Sequence, residues 1–133
     1  MARIQKILIV EDNSDCRELL ALLISRLGYE PIQAASGVEA FRQAVELHPD
    51  LILMDLCMPT MSGAETTARL KATSSTKDIP VIIVTAFSQN DFTDRALDSG
   101  AADILHKPFS LTGLGGLLDR YLSSGTSQEN RCG

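Results

Sequence analysis

Five polar or charged residues stand where apolar runs stop. Ile7-Leu8-Ile9-Val10 is followed by Glu11-Asp12, and Leu51-Ile52-Leu53-Met54 by Asp55. Val81-Ile82-Ile83-Val84 is followed by Thr85, and Ile104-Leu105-His106 by Lys107. Three carboxylates brought together in a half-buried cleft repel one another and need a cation. Oxygen ligands favour a hard ion that keeps some water and shares a phosphate, which points to Mg²⁺. A carboxylate nucleophile can form an acyl phosphate. A phosphoryl group in transfer needs its equatorial oxygens neutralised. Mg²⁺, the Lys107 ammonium and the Thr85 hydroxyl would do that.

The elements that must position these groups alternate in kind. Strands are expected over Lys6 to Val10, Pro31 to Ala35, Leu51 to Met54, Val81 to Thr85 and Asp103 to His106, as short runs rich in Ile, Val and Leu. A first helix over Asp15 to Leu27 carries Leu19, Leu20, Leu23 and Leu27 at helical spacing and stops at Gly28. A second starts at Ser36 with Glu39 at capping-box spacing and ends near His48, before Pro49. A third begins near Gly63 and fades before Thr73-Ser74-Ser75-Thr76, and a fourth runs from about Asn90 to Ser99 with Gly100 as its stop. A fifth begins at Ser110 and carries Leu111, Leu114, Leu118, Tyr121 and Leu122. Its Gly113, Gly115 and Gly116 each cost roughly 1 kcal/mol of helix propensity relative to Ala, so this helix depends on docking. Strand–helix alternation implies an α/β fold with a parallel sheet, and right-handed crossovers place helices on both faces. In such doubly wound sheets ligands sit at the carboxyl ends of the strands, where the five residues fall.

The chain has 133 residues, which suits one domain. We expect that domain over residues 1–122, followed by a polar, flexible tail over 123–133 with no room for an effector domain. The net charge of −5 argues against a nucleic-acid or anionic-membrane surface, since both need clustered Lys and Arg. No stretch approaches a membrane span or a signal-peptide core. Cys16, Cys57 and Cys132 offer neither a disulfide framework nor a metal spacing. Reduced thiols in the cytoplasm are the simple reading.

Each residue also has a plainer reading. A single Asp after a strand is usually a cap or turn residue, and Glu11-Asp12 would favour the N-terminus of the next helix. Thr85 alone is an ordinary strand Thr, and Lys107 alone a solvated lysine. What promotes them is their joint order along the chain. Ile7-Leu8-Ile9-Val10-Glu11-Asp12-Asn13, Leu53-Met54-Asp55-Leu56-Cys57-Met58-Pro59-Thr60-Met61-Ser62-Gly63, Val84-Thr85-Ala86 and Lys107-Pro108-Phe109 together resemble the signature set of the response regulator receiver domain of two-component signalling. The match is collinear to about Leu122 and looks like the stand-alone type typified by the chemotaxis response regulator.

The resemblance implies a flavodoxin-like, doubly wound five-stranded parallel sheet in the order 2-1-3-4-5 with five helices. It implies Asp55 as phosphoacceptor, with Thr85 and Lys107 contacting the phosphoryl oxygens. Mg²⁺ would be held by Asp12 directly, by Glu11 through water, by Asp55 and by the Cys57 carbonyl. It implies a histidine kinase or histidine phosphotransfer protein as donor, and a downstream protein target bound through about Asn90 to Leu122. It further implies a cis Lys107-Pro108 peptide, and places Cys57 and Phe87 beside the path of hydrolytic water. The chain would be a self-phosphorylating and self-dephosphorylating signalling domain rather than an enzyme. One departure stands out: where many receivers carry a Tyr or Phe three residues before the lysine, this chain has Ile104. A β-branched side chain has no ring to swing.

Alternatives remain open at this level. A flavodoxin-like nucleotide binder needs free amides after the first strand, where Glu11-Asp12 would repel a phosphate. An Asp-nucleophile phosphatase would place DxD there, whereas the candidate nucleophile here follows the third strand. A phosphorelay intermediate, or a degenerate receiver used only for binding, is the remaining choice.

Overall fold

The computed structural model describes residues 4–55, 63–85, 100–107 and 109–122, and of Asp55, Gly63 and Ala64 only the backbone. The strands are β1 (Lys6–Val10), β2 (Glu30–Ala34), β3 (Leu51–Asp55), β4 (Val81–Thr85) and β5 (Asp103–His106). All pair in parallel in the order β2-β1-β3-β4-β5. β2 begins one residue earlier than its apolar content predicts, because its ladder with β1 starts at Lys6 opposite Glu30. β3 runs one residue further than expected, so Asp55 still pairs, opposite Val84.

The described helices are α1 (Ser14–Arg26), α2 (Gly37–Leu47), α3 (Gly63–Ala72) and α4 (Leu111–Leu122). The helix expected over Asn90 to Ser99 and the tail expected over residues 123–133 lie outside the described residues. Local chemistry sets the helix ends. Asn13 caps α1, its side chain accepting from the Cys16 amide at 2.9 Å. Ser36 caps α2 by accepting from the Glu39 amide at 3.2 Å, while Glu39 reaches back to the Ala35 amide at 2.7 Å. Gly28 closes α1 at φ +96°: its amide bonds the Ser25 carbonyl and the Tyr29 amide bonds the Ile24 carbonyl. That paired pattern suits a residue without Cβ.

Strand alternation splits the core into two layers. Ile7, Ile9, Leu51, Leu53, Ile82 and Val84 pack on one face against Leu20, Ala21 and Ile24 of α1 and Leu114, Leu117, Leu118 and Leu122 of α4. Leu8, Val10, Ile52, Met54, Val81 and Ile83 pack on the other against Ala40 and Ala44 of α2 and Leu70 of α3. The three central strands are buried on both faces, which is why their sequences read as unbroken apolar runs.

Two glycines should respond to Ala in opposite directions. Gly116 lies in α4 with nothing within 4 Å of where a Cβ would sit. Gly116→Ala should add about 0.5–1 kcal/mol by raising helix propensity and restricting the unfolded chain. Gly100 adopts φ +114°, and a Cβ there would meet the Lys71 Cγ at 2.6 Å. Lys71 has little room to yield, since its Nζ donates to the carbonyls of Lys77 at 3.0 Å and Ile79 at 2.5 Å. Partial burial also holds this ammonium below its ordinary pKa, with Asp78 pulling the other way. Gly100→Ala should cost about 1–3 kcal/mol. Thermal melts that shift the same way for both variants would contradict this.

Candidate functional site

The backbone alone brings the strand-end residues to one edge. Val10 pairs with Met54, Asp55 with Val84 and Thr85 with His106. Glu11 is therefore the first residue beyond β1, Asp55 and Thr85 are the last residues of β3 and β4, and Lys107 is the first beyond β5. The Lys107 amide donates to the Thr85 carbonyl at 2.8 Å, which carries the β4–β5 ladder one residue further.

Glu11 is 4% exposed, and its amide donates to the Ala34 carbonyl of β2 at 3.1 Å. One carboxylate oxygen accepts from the Asn13 amide at 3.3 Å. The other lies 3.5 Å from the Lys107 Nζ. Three strand spacings, about 14 Å, separate the ends of β1 and β5. The Glu11–Lys107 ion pair thus reaches across the ends of β3 and β4, the strands that carry Asp55 and Thr85. Both partners occupy positions of the same alternation: Lys107 follows Leu105, which packs against the α1 side of the core. Lys107 also lines a largely apolar cavity of about 320 Å³, together with Cys16, Leu19, Leu20, Leu23 and Phe109.

Thr85 is 2% exposed, whereas Asp12 is exposed at the mouth of the edge. Carboxylates on consecutive residues, one inside and one outside, suit a hard divalent cation that retains water. Among the described residues no trio of His, Cys, Asp or Glu gathers as a metal site. The Asp55 side chain and Cys57, the other two expected ligands, lie outside what is described. Phe87 and Pro108, with the expected cis peptide before it, also lie outside the described residues.

His106 is exposed and Lys107 half-buried, as neighbours on a strand face opposite ways. His48 is the exposed C-cap of α2 in the left-handed region at φ 49°. Ile104 is partly buried, pairs with Ile83 and packs on the α2–α3 side of the core. The Glu11–Lys107 contact escaped the sequence reading, and so did those of Arg17. Arg17, in the first turns of α1, donates through Nη1 to the Glu11 carbonyl at 2.9 Å and through Nε to Gln33 Oε1 at 3.2 Å. An Arg shortly after an acid pair and a helix cap was the only trace of the Arg17 bonds.

Comparison with known proteins identifies the family of this fold. The family model described as the response regulator receiver domain matches residues 7–118. The polar-differentiation response regulator DivK of Brucella abortus is 43% identical over 107 residues, covering 80% of this chain and 87% of that protein. The phosphate regulon transcriptional regulatory protein PhoB of Escherichia coli is 40% identical over 110 residues, 83% of this chain. The match spans only 47% of PhoB, about half its length. Among solved structures, the chemotaxis protein CheY4 of Vibrio cholerae superposes with a TM-score of 0.85 at 30% identity, covering 90% of this chain and all of that one. The receiver domain of a Pseudomonas aeruginosa sensor histidine kinase, with a magnesium ion coordinated in its active-site cleft, gives 0.85 at 31% identity, covering 91% and 99%. With its sheet order and a family match along most of its length, the chain belongs to the response regulator receiver domains of two-component systems.

Proposed function

We propose that this receiver accepts a phosphoryl group on Asp55, in a Mg²⁺-dependent transfer from a phosphohistidine of a histidine kinase or histidine phosphotransfer protein. The observation that carries the reading is the Glu11–Lys107 pair stretched across the end of Asp55's strand. It brings an acid and an ammonium together at the sheet edge where β3, the strand of the proposed acceptor, ends.

In this reading an Asp55 carboxylate oxygen attacks phosphorus, the phosphorus–nitrogen bond breaks, and the imidazole leaves. Lys107 turns from Glu11 to a phosphoryl oxygen, and the Thr85 hydroxyl donates to another. Glu11, Asp12, Asp55 and the Cys57 carbonyl would hold Mg²⁺, which neutralises charge on the phosphoryl oxygens when bound. Water later releases phosphate, and Phe87 shields the acyl phosphate from it. The output is a changed protein-binding surface over about Asn90 to Leu122. Within its described part, Asp103 joins β5 to α4 through Arg120 at 3.1 Å and the Tyr121 hydroxyl at 3.1 Å. No described helix is long and apolar enough to cross a membrane; we place the domain in the cytoplasm.

Incubation with a panel of autophosphorylated histidine kinases tests the reading. Rapid transfer from a cognate donor to the wild type, and none to Asp55→Asn, is expected; equal transfer to both would refute it. The metal has its own test. Mg²⁺ should raise the melting temperature of the wild type by binding the folded state. Asp12→Asn should blunt that rise and stabilise the metal-free protein by relieving repulsion. An unaltered Mg²⁺ response would remove Asp12 from the metal set.

A further inference from the structure

Arg17 makes no bond to a carboxylate in the two contacts that define its position. Its Nη1 donates to the backbone carbonyl of Glu11, and its Nε to the side-chain oxygen of Gln33. Gln33 lies on β2, paired with Ile9 of β1. The Arg17 amide meanwhile bonds the Asn13 carbonyl at 2.9 Å, within the first turn of α1. The planar guanidinium donates in two fixed directions, so both contacts together set where the Glu11 carbonyl lies. The Glu11–Asp12–Asn13 turn is then pinned from three sides: by Arg17, by the Asn13 amide on the Glu11 carboxylate, and by the Asn13 cap on the Cys16 amide.

We propose that Arg17 is a positioning residue for the metal-binding acids, fixing the Glu11–Asp12 backbone from an anchor on Gln33 and thereby setting Mg²⁺ affinity. The proposal rests on the Mg²⁺ reading above. Its sign separates it from a charge effect. A guanidinium near a divalent-cation site repels that cation, so charge alone predicts tighter binding once Arg17 is neutralised. Positioning predicts weaker binding, because the acids lose their preset geometry and must be ordered by the ion.

Calorimetric titration of the full chain with MgCl₂ decides, using wild type, Arg17→Met, Arg17→Lys and Gln33→Ala, with a thermal melt of each. Arg17→Met should weaken Mg²⁺ about tenfold, in line with outer partners of metal ligands. Arg17→Lys keeps the charge without the two-directional donor and should remain weaker than wild type. Gln33→Ala changes no charge at an exposed position and should weaken binding by a smaller factor. Unchanged or tighter binding in Arg17→Met, or full recovery in Arg17→Lys, overturns the proposal. So does a lowered melting temperature with unchanged affinity. If Arg17→Met fails to fold, Gln33→Ala decides, and wild-type affinity there overturns it. A wild type that binds no Mg²⁺ would instead remove the metal reading itself and this proposal with it.

Discussion

Acetyl phosphate and Mg²⁺ should add one hydroxylamine-labile phosphoryl group to the wild-type chain and none to Asp55→Asn. The loss should be complete, because the proposed nucleophile is the carboxylate itself and an amide oxygen in its place does not form an acyl phosphate. The substitution is nearly isosteric. The residue ends β3, where its backbone pairs with Val84, so the sheet should survive the change. Matching circular dichroism spectra and melting curves would establish that the variant is folded. Intact-mass spectrometry then reads the phosphoryl group directly. Undiminished labelling of a folded Asp55→Asn or Asp55→Ala would place the acceptor elsewhere.

Lys107→Met should act on stability and on chemistry at once. The Glu11 side chain is 6% exposed and the Lys107 side chain 32% exposed, so the pair is partly shielded from water. Removing one partner of a buried pair leaves its desolvated charge poorly compensated, at a cost of several kcal/mol. Lys107 is a third exposed, and solvent screening reduces the expected loss to about 1–2 kcal/mol. The metal-free melting temperature should fall by several degrees. Mg²⁺ should then bind more tightly, because no ammonium competes for Glu11, and should restore the lost stability. Phosphorylation by acetyl phosphate should nevertheless slow by about two orders of magnitude, as when one preorganised donor to a developing anion is removed. Unchanged metal-free stability would mean that the Glu11–Lys107 contact carries no weight, and an unchanged phosphorylation rate would remove Lys107 from the transfer.

The three central strands were legible because burial on both faces leaves consecutive apolar residues, as in Ile7-Leu8-Ile9-Val10. β2 was less so. It is an edge strand, its run begins Glu30-Pro31, and its start is fixed by pairing with Lys6 rather than by apolar content. Helix faces were read imperfectly. α1 offers more apolar residues than one face can use, and Leu19 and Leu22 remain 57% and 55% exposed while Ala21 and Ile24 turn inward. In α4, Leu117 is buried and Leu111 is 40% exposed, since docking against the sheet and α1 selects the stripe. The strand-end residues stood out in the sequence because polarity changes abruptly where each apolar run stops. The Glu11–Lys107 contact did not, because it spans 96 positions in sequence and depends on the strand order. Arg17 was missed for a different reason. It bonds a backbone carbonyl, and a backbone oxygen leaves no pattern in residue types.

A crystal structure with Mg²⁺ and beryllofluoride, a mimic of the phosphoryl group, tests the central claim most directly. We predict beryllium bound to an Asp55 carboxylate oxygen and Mg²⁺ on Asp12. Lys107 should have moved from Glu11 to one fluorine, with the Thr85 hydroxyl on another. The loop after Thr85 should shift while the Ile104 rotamer, packed beside Ile83, stays as it is. Beryllofluoride bound away from Asp55, or bound there with Lys107 still on Glu11 and Thr85 turned aside, would contradict the account.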